Sequence, residues 1–355
     1  MYQLGSMARI AVTLFATLVF AAWLPAACQG QSPLPEPAPR YLILDTARPK
    51  TLQKELDHAA GAGFRVVAGS GRTLILEKAA NGMKHEYLIA DSVKSMVKKG
   101  KINGYRVLPS TFARGGAMLE KLQEGESQPE YQVLDLFLEK DLNEWSGRGF
   151  RLVALSAYQV ENSAYRYGLM ERLGGSPASG PTDWYVVLET NRTDPMEKKI
   201  EETVARGYRV LAAIGPIAMS VILEKVAADD PKPEYRVLAA SFEIGRLEQE
   251  ITAAASDGYR LLPMTLCTRG KAFGLLGRFG NQHAVIVEKS PPGAIAPQYK
   301  MLDTWHKSTL QLQDELNEAT SAGWSVSRLF EETMREEIVV LEKAAKSVED
   351  HPAKP

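Results

Sequence analysis

Hydrophobic and polar positions recur along most of this chain in a pattern that appears six times. Each copy opens with Tyr-x-x-Leu or a close variant and then carries two apolar residues four positions apart. A glycine followed by an aromatic residue comes seven residues after the second apolar position, and most copies close on Glu-Lys. This periodicity indicates an array of similar structural units.

The repeated positions are found in all six copies, with one variation at the end of the third. The opening tyrosines are Tyr41, Tyr87, Tyr131, Tyr185, Tyr235 and Tyr299. The apolar pairs are Leu52/Leu56, Val93/Val97, Leu138/Leu142, Met196/Ile200, Leu247/Ile251 and Leu312/Leu316. The glycine–aromatic pairs are Gly63-Phe64, Gly104-Tyr105, Gly149-Phe150, Gly207-Tyr208, Gly258-Tyr259 and Gly323-Trp324. The third copy closes on Glu171-Arg172 instead of Glu-Lys.

Each part of the pattern predicts one element. The tyrosine segment is rich in β-formers and short, which indicates a strand. The apolar pair with flanking charges marks one face of an amphipathic helix, and the glycine ends that helix in a left-handed conformation. Two more strands follow, so the fold class is α+β, with six tandem β-α-β-β units, each a helix on a small, mostly antiparallel sheet. The second helix is the weakest because Gly100 lies inside it.

Two of the copies carry a more specific signature. Leu142-Asn143 with Gly149-Phe150, and Leu316-Asn317 with Gly323-Trp324, resemble a family of small bacterial β-α-β-β domains of unknown function. The resemblance extends over about residues 40–343, as six copies. It implies the fold of each unit, and it implies no catalytic residues because the family motifs are structural.

The units fall into two similar groups of three. Units two and five alone share a Leu-Pro-x-Thr string followed by Arg-Gly, at Leu108–Thr111 and Leu262–Thr265. We therefore predict units one to three at 40–173 (40–79, 86–122 and 130–173), a linker at 174–182, and units four to six at 183–344 (183–226, 234–290 and 298–344). Pro109 and Pro263 cannot donate to a β-ladder, so their strands should be edges or bulged there.

The N-terminus has the pattern of an export signal. Residues 10–24 form an uncharged apolar run after Arg9, which is too short for a typical membrane span, so residues 1–27 are predicted to be a signal peptide. The following Cys28 makes a bacterial lipoprotein one alternative, and ordinary cleavage between Ala27 and Gly30 the other. Residues 28–39 are a proline-rich spacer, and residues 345–355 are predicted to be a disordered tail.

Composition and charge exclude several classes of function. The chain has 355 residues, 45% of them hydrophobic and 24% charged, and its 42 basic and 43 acidic residues give a net charge of -1, which disfavours nucleic-acid binding. Two cysteines and five scattered histidines provide no metal-ligand spacing, and no cofactor motif is present. Because every motif-based route to catalysis fails, we predict no catalytic residue, metal or cofactor, and a non-enzymatic protein.

Five arginines are the first candidate binding set. They follow the aromatic residue of each unit except the sixth, at Arg65, Arg106, Arg151, Arg209 and Arg260. If the sheets align, the guanidinium groups form a stripe suited to carboxylates or phosphates. The favoured alternative is that each arginine pairs across strands with the glutamate of Glu-Lys.

Two insertions supply further candidates. The long insertion from Met264 to Gln282 in unit five contains Arg269, Lys271 and Arg278 and no acid, so it could hold an anion or form a hairpin that packs on its neighbour. Unit three carries Tyr158, Tyr165 and Tyr167, which suit either carbohydrate and protein contacts or a half-buried hairpin.

These observations predict an exported repeat protein of the bacterial cell envelope, in the periplasm, at the outer membrane or cell surface as a lipoprotein, or secreted. It would bind an envelope protein, a glycan or a wall polymer, and touch the membrane only through an N-terminal lipid. The alternatives are an enzyme or small-ligand protein with a pocket between the two triplets, using Cys267 or His283, and a purely structural protein. A homodimer through exposed strand edges also stays open.

Overall fold

The computed structural model describes residues 39–46, 48–70, 73–80, 84–92, 95–96, 104–114, 116–135, 138–160, 163–174, 179–190, 193–215, 219–241, 244–269, 282–294, 297–304, 307–331 and 337–343. They belong to one compact unit, Pro39–Pro355. The signal peptide, almost all of the spacer and the C-terminal tail lie outside the described residues. None of the helices in the described part has the length and apolar composition needed to cross a membrane.

The first three units contain nine strands. Unit one comprises β1 (Tyr41–Asp45), α1 (Pro49–Gly61), β2 (Phe64–Gly69) and β3 (Thr73–Lys78). Unit two comprises β4 (Tyr87–Ala90), β5 (Tyr105–Val107), a short 3-10 helix (Pro109–Thr111) and β6 (Ala117–Lys121). Unit three comprises β7 (Glu130–Asp135), α2 (Glu139–Gly147), β8 (Arg151–Val160) and β9 (Ser163–Arg172). Most of the segment predicted as the helix of unit two lies outside the described residues.

The last three units repeat this order. Unit four comprises β10 (Tyr185–Thr190), α3 (Thr193–Ala205), β11 (Tyr208–Ile214) and β12 (Met219–Lys225). Unit five comprises β13 (Tyr235–Ser241), α4 (Ile244–Ser256), β14 (Tyr259–Leu261), β15 (Cys267–Arg269) and β16 (Gln282–Lys289). Unit six comprises β17 (Gln298–Asp303), α5 (Thr309–Ser321), β18 (Ser325–Glu331) and β19 (Glu337–Lys343). Repeated small antiparallel sheets with helices, the coarse form of the prediction, are therefore confirmed.

The last strand of each unit is the centre of its sheet. In unit one the order is β1-β3-β2 with both pairings antiparallel, and the other units follow the same scheme. Unit five adds β15, which also pairs with the central strand. The first and second strands are therefore the two edges of every sheet.

Each central strand is buried on both faces, which explains its unbroken apolar sequence. In β12, Val221 and Leu223 pack into the core shared with unit five, whereas Ile222 packs into the core shared with unit three. The central strands of the other units alternate in the same way between two cores. No unit has a core of its own, because each core lies between two neighbouring sheets.

Six such cores join the six units into a closed ring. Five lie between consecutive units, and the sixth joins unit six to unit one, where Leu316 of α5 packs with Tyr41 and Ile43 of β1. The helices pack beside the first strand of the next unit, while second strands of neighbouring units contact one another. The units repeat the same contacts around the ring, so they share one orientation.

The predicted linker at 174–182 does not separate the first three units from the last three. Units three and four share a core of the same kind as the others, and the Gly180 N–H donates to the Gly147 carbonyl at the end of α2. An added Cβ at Gly180 would lie 2.2 Å from the Ser146 carbonyl oxygen, so a side chain there has no room. Within a ring of six, units two and five stand three positions apart, which fits a pseudo-twofold.

Two local predictions have clear outcomes. All six glycines of the repeat adopt a positive φ, between 83° and 93°, as predicted for residues that end the helices. Leu138 was predicted to be half of an apolar core pair, and this is wrong: α2 begins one residue later, and Leu138 is 65% exposed. Only Leu142 of that pair is buried, since the shorter helix leaves Leu138 outside its first turn.

The proline strings of units two and five also follow expectation. The edge strands β5 and β14 end at Val107 and Leu261, before each proline. The threonine of the string then accepts a hydrogen bond from the central strand in place of the backbone of the ended edge strand. The Thr111 hydroxyl accepts from Met118 N–H at 2.8 Å, and the Thr265 hydroxyl accepts from Ile286 N–H at 3.1 Å. The two strings thus have the same structural function.

Candidate functional site

The opening tyrosine of each unit bonds to the preceding unit. Its hydroxyl accepts a backbone N–H from that unit's second strand, which covers the exposed edge of the sheet. The donors are Val66 to Tyr87, Val107 to Tyr131, Leu152 to Tyr185, Val210 to Tyr235, Leu261 to Tyr299 and Val326 to Tyr41, at 2.8–3.2 Å. The same device therefore recurs at all six interfaces.

Many of these hydroxyls also face the glutamate of their own unit. The Tyr131 hydroxyl donates to Glu171 at 2.7 Å, and that of Tyr235 donates to Glu288 at 3.3 Å. Burial raises the pKa of Tyr185 and of Tyr299 to about 12. The protonated hydroxyl is thus favoured at neutral pH, which suits a group that donates to a carboxylate while accepting an amide.

The candidate arginines complete this network. Arg65, Arg106, Arg209 and Arg260 each lie opposite the glutamate of the third strand, as the favoured alternative predicted. The ion-pair distances are 2.9 Å to Glu77, 2.8 Å to Glu120, 2.6 Å to Glu224 and 2.5 Å to Glu288. A free stripe of guanidinium groups is therefore not formed by these four residues.

Arg151 departs from the set. It lies opposite Glu171 in register, but its guanidinium carbon stands over the Trp184 ring at 4.0 Å, and Nη1 donates to the Ser146 hydroxyl at 3.0 Å. Trp184 is the residue before the opening tyrosine of unit four. In the other units, Arg, Glu or Gln holds that position. The fifth arginine therefore packs between units three and four.

The closing lysine is structural too. Lys78 and Lys289 donate to the carbonyls of Ala62 and Asp257 at the ends of their helices, and each ammonium lies over the aromatic residue that follows the glycine. In unit three, Arg172 takes this position and lies over Phe150 at 4.9 Å. The lysine and arginine contacts thus brace each unit internally, and the tyrosine hydroxyls join neighbouring units.

A second set of hydrogen bonds between units, which we call the Gln/Glu clamp, was not predicted from the sequence. The residue after the first apolar position of each described helix accepts the backbone N–H of the residue two positions after the next unit's opening tyrosine. The pairs are Gln53 with Ile89, Glu139 with Val187, Glu197 with Val237, Glu248 with Met301 and Gln313 with Ile43, at 2.8–3.1 Å. Its signal was visible: the position is always Gln or Glu in these five units, whereas unit two has Lys94.

The described strand residues that border the two insertions lie at the end of their sheets opposite the Arg–Glu positions. Lys271 and Arg278 lie outside the described residues, and Arg269 is placed only as the last residue of β15. In unit three, β8 and β9 pair without interruption from Leu155↔Gly168 to Val160↔Ser163, with Tyr158 opposite Tyr165. Tyr165 is 36% exposed, and Tyr167 is half-buried.

Cys267 and His283 do not converge. Cys267 is paired with Ala284, so His283 points to the opposite face of the sheet. Cys267 packs into the core between units four and five, and both side chains are buried. Burial lowers the pKa of His283, although Asp303 opposes that shift. The described residues contain no group of three or more His, Cys, Asp or Glu side chains placed to bind a metal ion.

Comparison with known proteins gives one local match. Residues 139–172, which are α2, β8 and β9 of unit three, match a family described as "Polyglycine hydrolase-like, structural repeat". No curated protein matches the chain. The match supports a repeat protein and covers one of the six units, while the resemblance to small bacterial domains of unknown function stays a prediction.

Proposed function

We propose that this protein is a non-catalytic binding module of the bacterial cell envelope. The closed ring is its scaffold, and the connections between second and third strands form its partner-binding face, which we call the connection face. These connections are residues 70–72, 108–116, 161–162, 215–218, 262–281 and 332–336. The units share one orientation, so the described strand ends that flank these connections, such as Gly69 and Thr73 in unit one and Ile214 and Met219 in unit four, lie on the same side of the ring.

One observation carries this proposal. The signature residues are fixed in contacts within and between units, whereas the connections differ in length and composition from unit to unit. Loops of variable length on a rigid scaffold are where binding residues concentrate in proteins. The four paired arginines lie at the other end of the sheets and are already neutralised by glutamates.

The hairpin of unit three has the longest second and third strands in the described part of the chain. Its strands have ten residues each, against six for β2 and β3 of unit one. Tyr165 offers an exposed aromatic ring, and such rings are enriched at protein interfaces. Arg166 anchors the hairpin base to unit four through Glu189 at 2.8 Å and the Ser220 hydroxyl at 3.1 Å.

The test shortens this hairpin without disturbing its base. Residues 158–165 are replaced by Asn-Gly, because Ala157 and Arg166 lie opposite each other and a two-residue turn joins such a pair. The probes are purified peptidoglycan sacculi and outer-membrane vesicles, and binding is measured by co-sedimentation. We expect the shortened variant to lose at least about tenfold in affinity for the fraction that the intact mature chain binds.

The matched control is the quadruple variant Arg65→Ala, Arg106→Ala, Arg209→Ala and Arg260→Ala, checked for folding by circular dichroism. We expect it to retain binding. If the shortened hairpin binds normally and the arginine variant does not, the binding face is at the other end of the ring. If neither variant changes binding, the proposal of a connection face fails.

Export and lipidation are part of the proposal. We propose that the chain is exported and that Cys28 carries a lipid, with residues 29–39 as a spacer between membrane and ring. The apolar run before Cys28 supports this. Intact mass of the mature protein from membrane and soluble fractions tests it: an acylated species starting at Cys28 is expected, and an unmodified soluble species would contradict lipidation.

A further inference from the structure

A polar cleft of about 570 Å³ lies between the end of α1 and unit two. Asp57 lines it from the helix, Lys84 and His85 from the segment before β4, and Glu120 and Lys121 from β6. Its volume lies within the usual range for small-molecule sites. It belongs to the end of the ring opposite the connection face, because it includes an Arg–Glu pair.

His85 distinguishes this unit from the others. The residue two positions before the opening tyrosine is proline in four units, at Pro39, Pro129, Pro233 and Pro297, and Asp183 in unit four. The His85 Nδ1 lies 2.9 Å from Glu120 Oε1, and its ring stacks on Tyr87 with centroids 5.9 Å apart. The repeat therefore gains an imidazole here that its own architecture does not require.

Glu120 engages one nitrogen of that imidazole. The carboxylate is buried, and it accepts Nη2 of Arg106 at 2.8 Å and the Tyr87 hydroxyl at 3.4 Å. The Glu120 carboxylate therefore engages Nδ1 of His85, and Nε2 is the ring nitrogen that remains to meet a ligand. Nε2 is buried and has no hydrogen-bond partner among the described residues. A buried polar atom without a hydrogen bond is unfavourable, and a hydrogen-bonding group of a ligand would relieve this.

The charges around the cleft balance. Three cations, Lys84, Arg106 and Lys121, face three acids, Asp57, Glu86 and Glu120. Glu86 pairs with Lys121 at 2.6 Å and Glu120 with Arg106, whereas Asp57 and Lys84 form no ion pair within the described part of the chain. The described residues of the lining thus offer donors and acceptors in similar number, and their formal charges cancel.

This balance selects a class of ligand. An anion would meet three carboxylates, and a cation would meet three basic groups. An apolar ligand would leave these charged groups without partners, and Leu122 is the one large apolar residue in the described lining. A neutral molecule rich in hydroxyl groups fits, because each hydroxyl both donates and accepts.

We propose that this cleft binds a neutral saccharide of one or two rings. Asp57 accepts hydrogen bonds from its hydroxyls at the rim and Lys84 donates to them, and a further hydroxyl, directly or through a water, forms a hydrogen bond with His85 Nε2. The site is separate from the connection face, so it goes beyond the proposed function and can hold or fail independently of it.

The test follows the histidine ring signals of the mature chain by two-dimensional NMR, with the His85 signal identified by its loss in His85→Gln. Glucose, N-acetylglucosamine and a disaccharide of each are the probes. We expect a saturable shift of the His85 signal with a Kd on the order of 1 mM for at least one sugar. Asp57→Asn, at an exposed position that leaves the fold intact, should weaken that binding at least about tenfold.

The matched control is Asp229→Asn, at an exposed acid between units four and five that is not among the described residues lining the cleft. This variant should bind like the parent chain. No saturable shift of His85 by any sugar up to about 50 mM would overturn the site. A shift produced by glycine or by inorganic phosphate, and by none of the sugars, would overturn the ligand class.

Discussion

The interface between units three and four and the interface between units six and one are built from the same parts. In the first, Asn143 of α2 clamps the backbone of Tyr185, with both hydrogen bonds at 2.8 Å. In the second, Asn317 of α5 clamps the backbone of Tyr41, at 2.9 and 3.2 Å. The tyrosine hydroxyl accepts from Leu152 at 2.8 Å in one and from Val326 at 3.2 Å in the other.

The two interfaces differ in how the chain reaches them. Residues 173–184 join units three and four directly, whereas Tyr41 and Asn317 are 276 positions apart. The same contacts therefore form with and without a short connection. The comparison teaches that the repeat residues specify the interface, and that ring closure is encoded in the first strand of unit one and the helix of unit six.

The largest effects should come from the buried leucines of the two helices. Leu316→Ala and Leu142→Ala each remove a side chain that is at most 1% exposed, so each should lower the free energy of unfolding by about 2–5 kcal/mol. Urea unfolding measures both. A cost below about 1 kcal/mol for Leu316→Ala alone would mean that the ring is open between units six and one.

A smaller effect is expected for the asparagine clamps. Asn317→Ala and Asn143→Ala each leave a backbone N–H and C=O without their partners, at a cost of about 1–3 kcal/mol. Amide hydrogen exchange sharpens the comparison, because protection of the Tyr41 amide should fall in Asn317→Ala and not in Asn143→Ala. Equal protection of Tyr41 in both variants would refute the clamp at the closing interface.

The smallest effect concerns the arginines. Burial alone would raise the pKa of Glu77, but hydrogen bonds from Arg65 and Arg40 outweigh it and lower that pKa. A lowered pKa in the folded state stabilises the protein above the ordinary value near 4.5, and this stabilisation is lost as the pH falls through the folded value. Arg65→Ala should therefore flatten the loss of stability in acid, while costing less than about 1 kcal/mol at neutral pH.

Arg151→Ala is the matched comparison, because its guanidinium lies over Trp184 and forms no ion pair with a described carboxylate. It should leave the acid slope close to that of the parent chain. Thermal unfolding between pH 3 and 7 measures both variants, and an equal change in slope would contradict the assigned pairing.

The sequence predicted the repeat well because its signature is local. Strand, helix and glycine positions follow from β-propensity, an apolar pair and the need for a positive φ, as at Gly207. Cross-strand pairing of Arg209 with Glu224 followed from strand alternation. The prediction for Leu138 was wrong because the start of a helix depends on local capping, which the spacing of apolar residues does not reveal.

Ring closure could not be read from the sequence in the same way. Ring closure depends on which sheet packs against which helix over a long sequence separation. A pattern shared by all units does not specify which two units meet. The Gln and Glu residues at the clamp position, such as Glu248, were available as a signal, but their acceptor function appears only when the next strand is placed beside the helix. The cleft at His85 needed the same long-range information.

The most direct test of the closed ring is a cross-link between its first and last units. In a Cys267→Ala background of the chain from residue 29, Asp45→Cys and Thr309→Cys place thiols where the two native side chains lie 3.5 Å apart. A short bis-maleimide reagent is added to the monomer, and tryptic peptides are identified by mass. The account predicts an intramolecular link between the two peptides. Cross-links confined to dimers, or none at all, would contradict it.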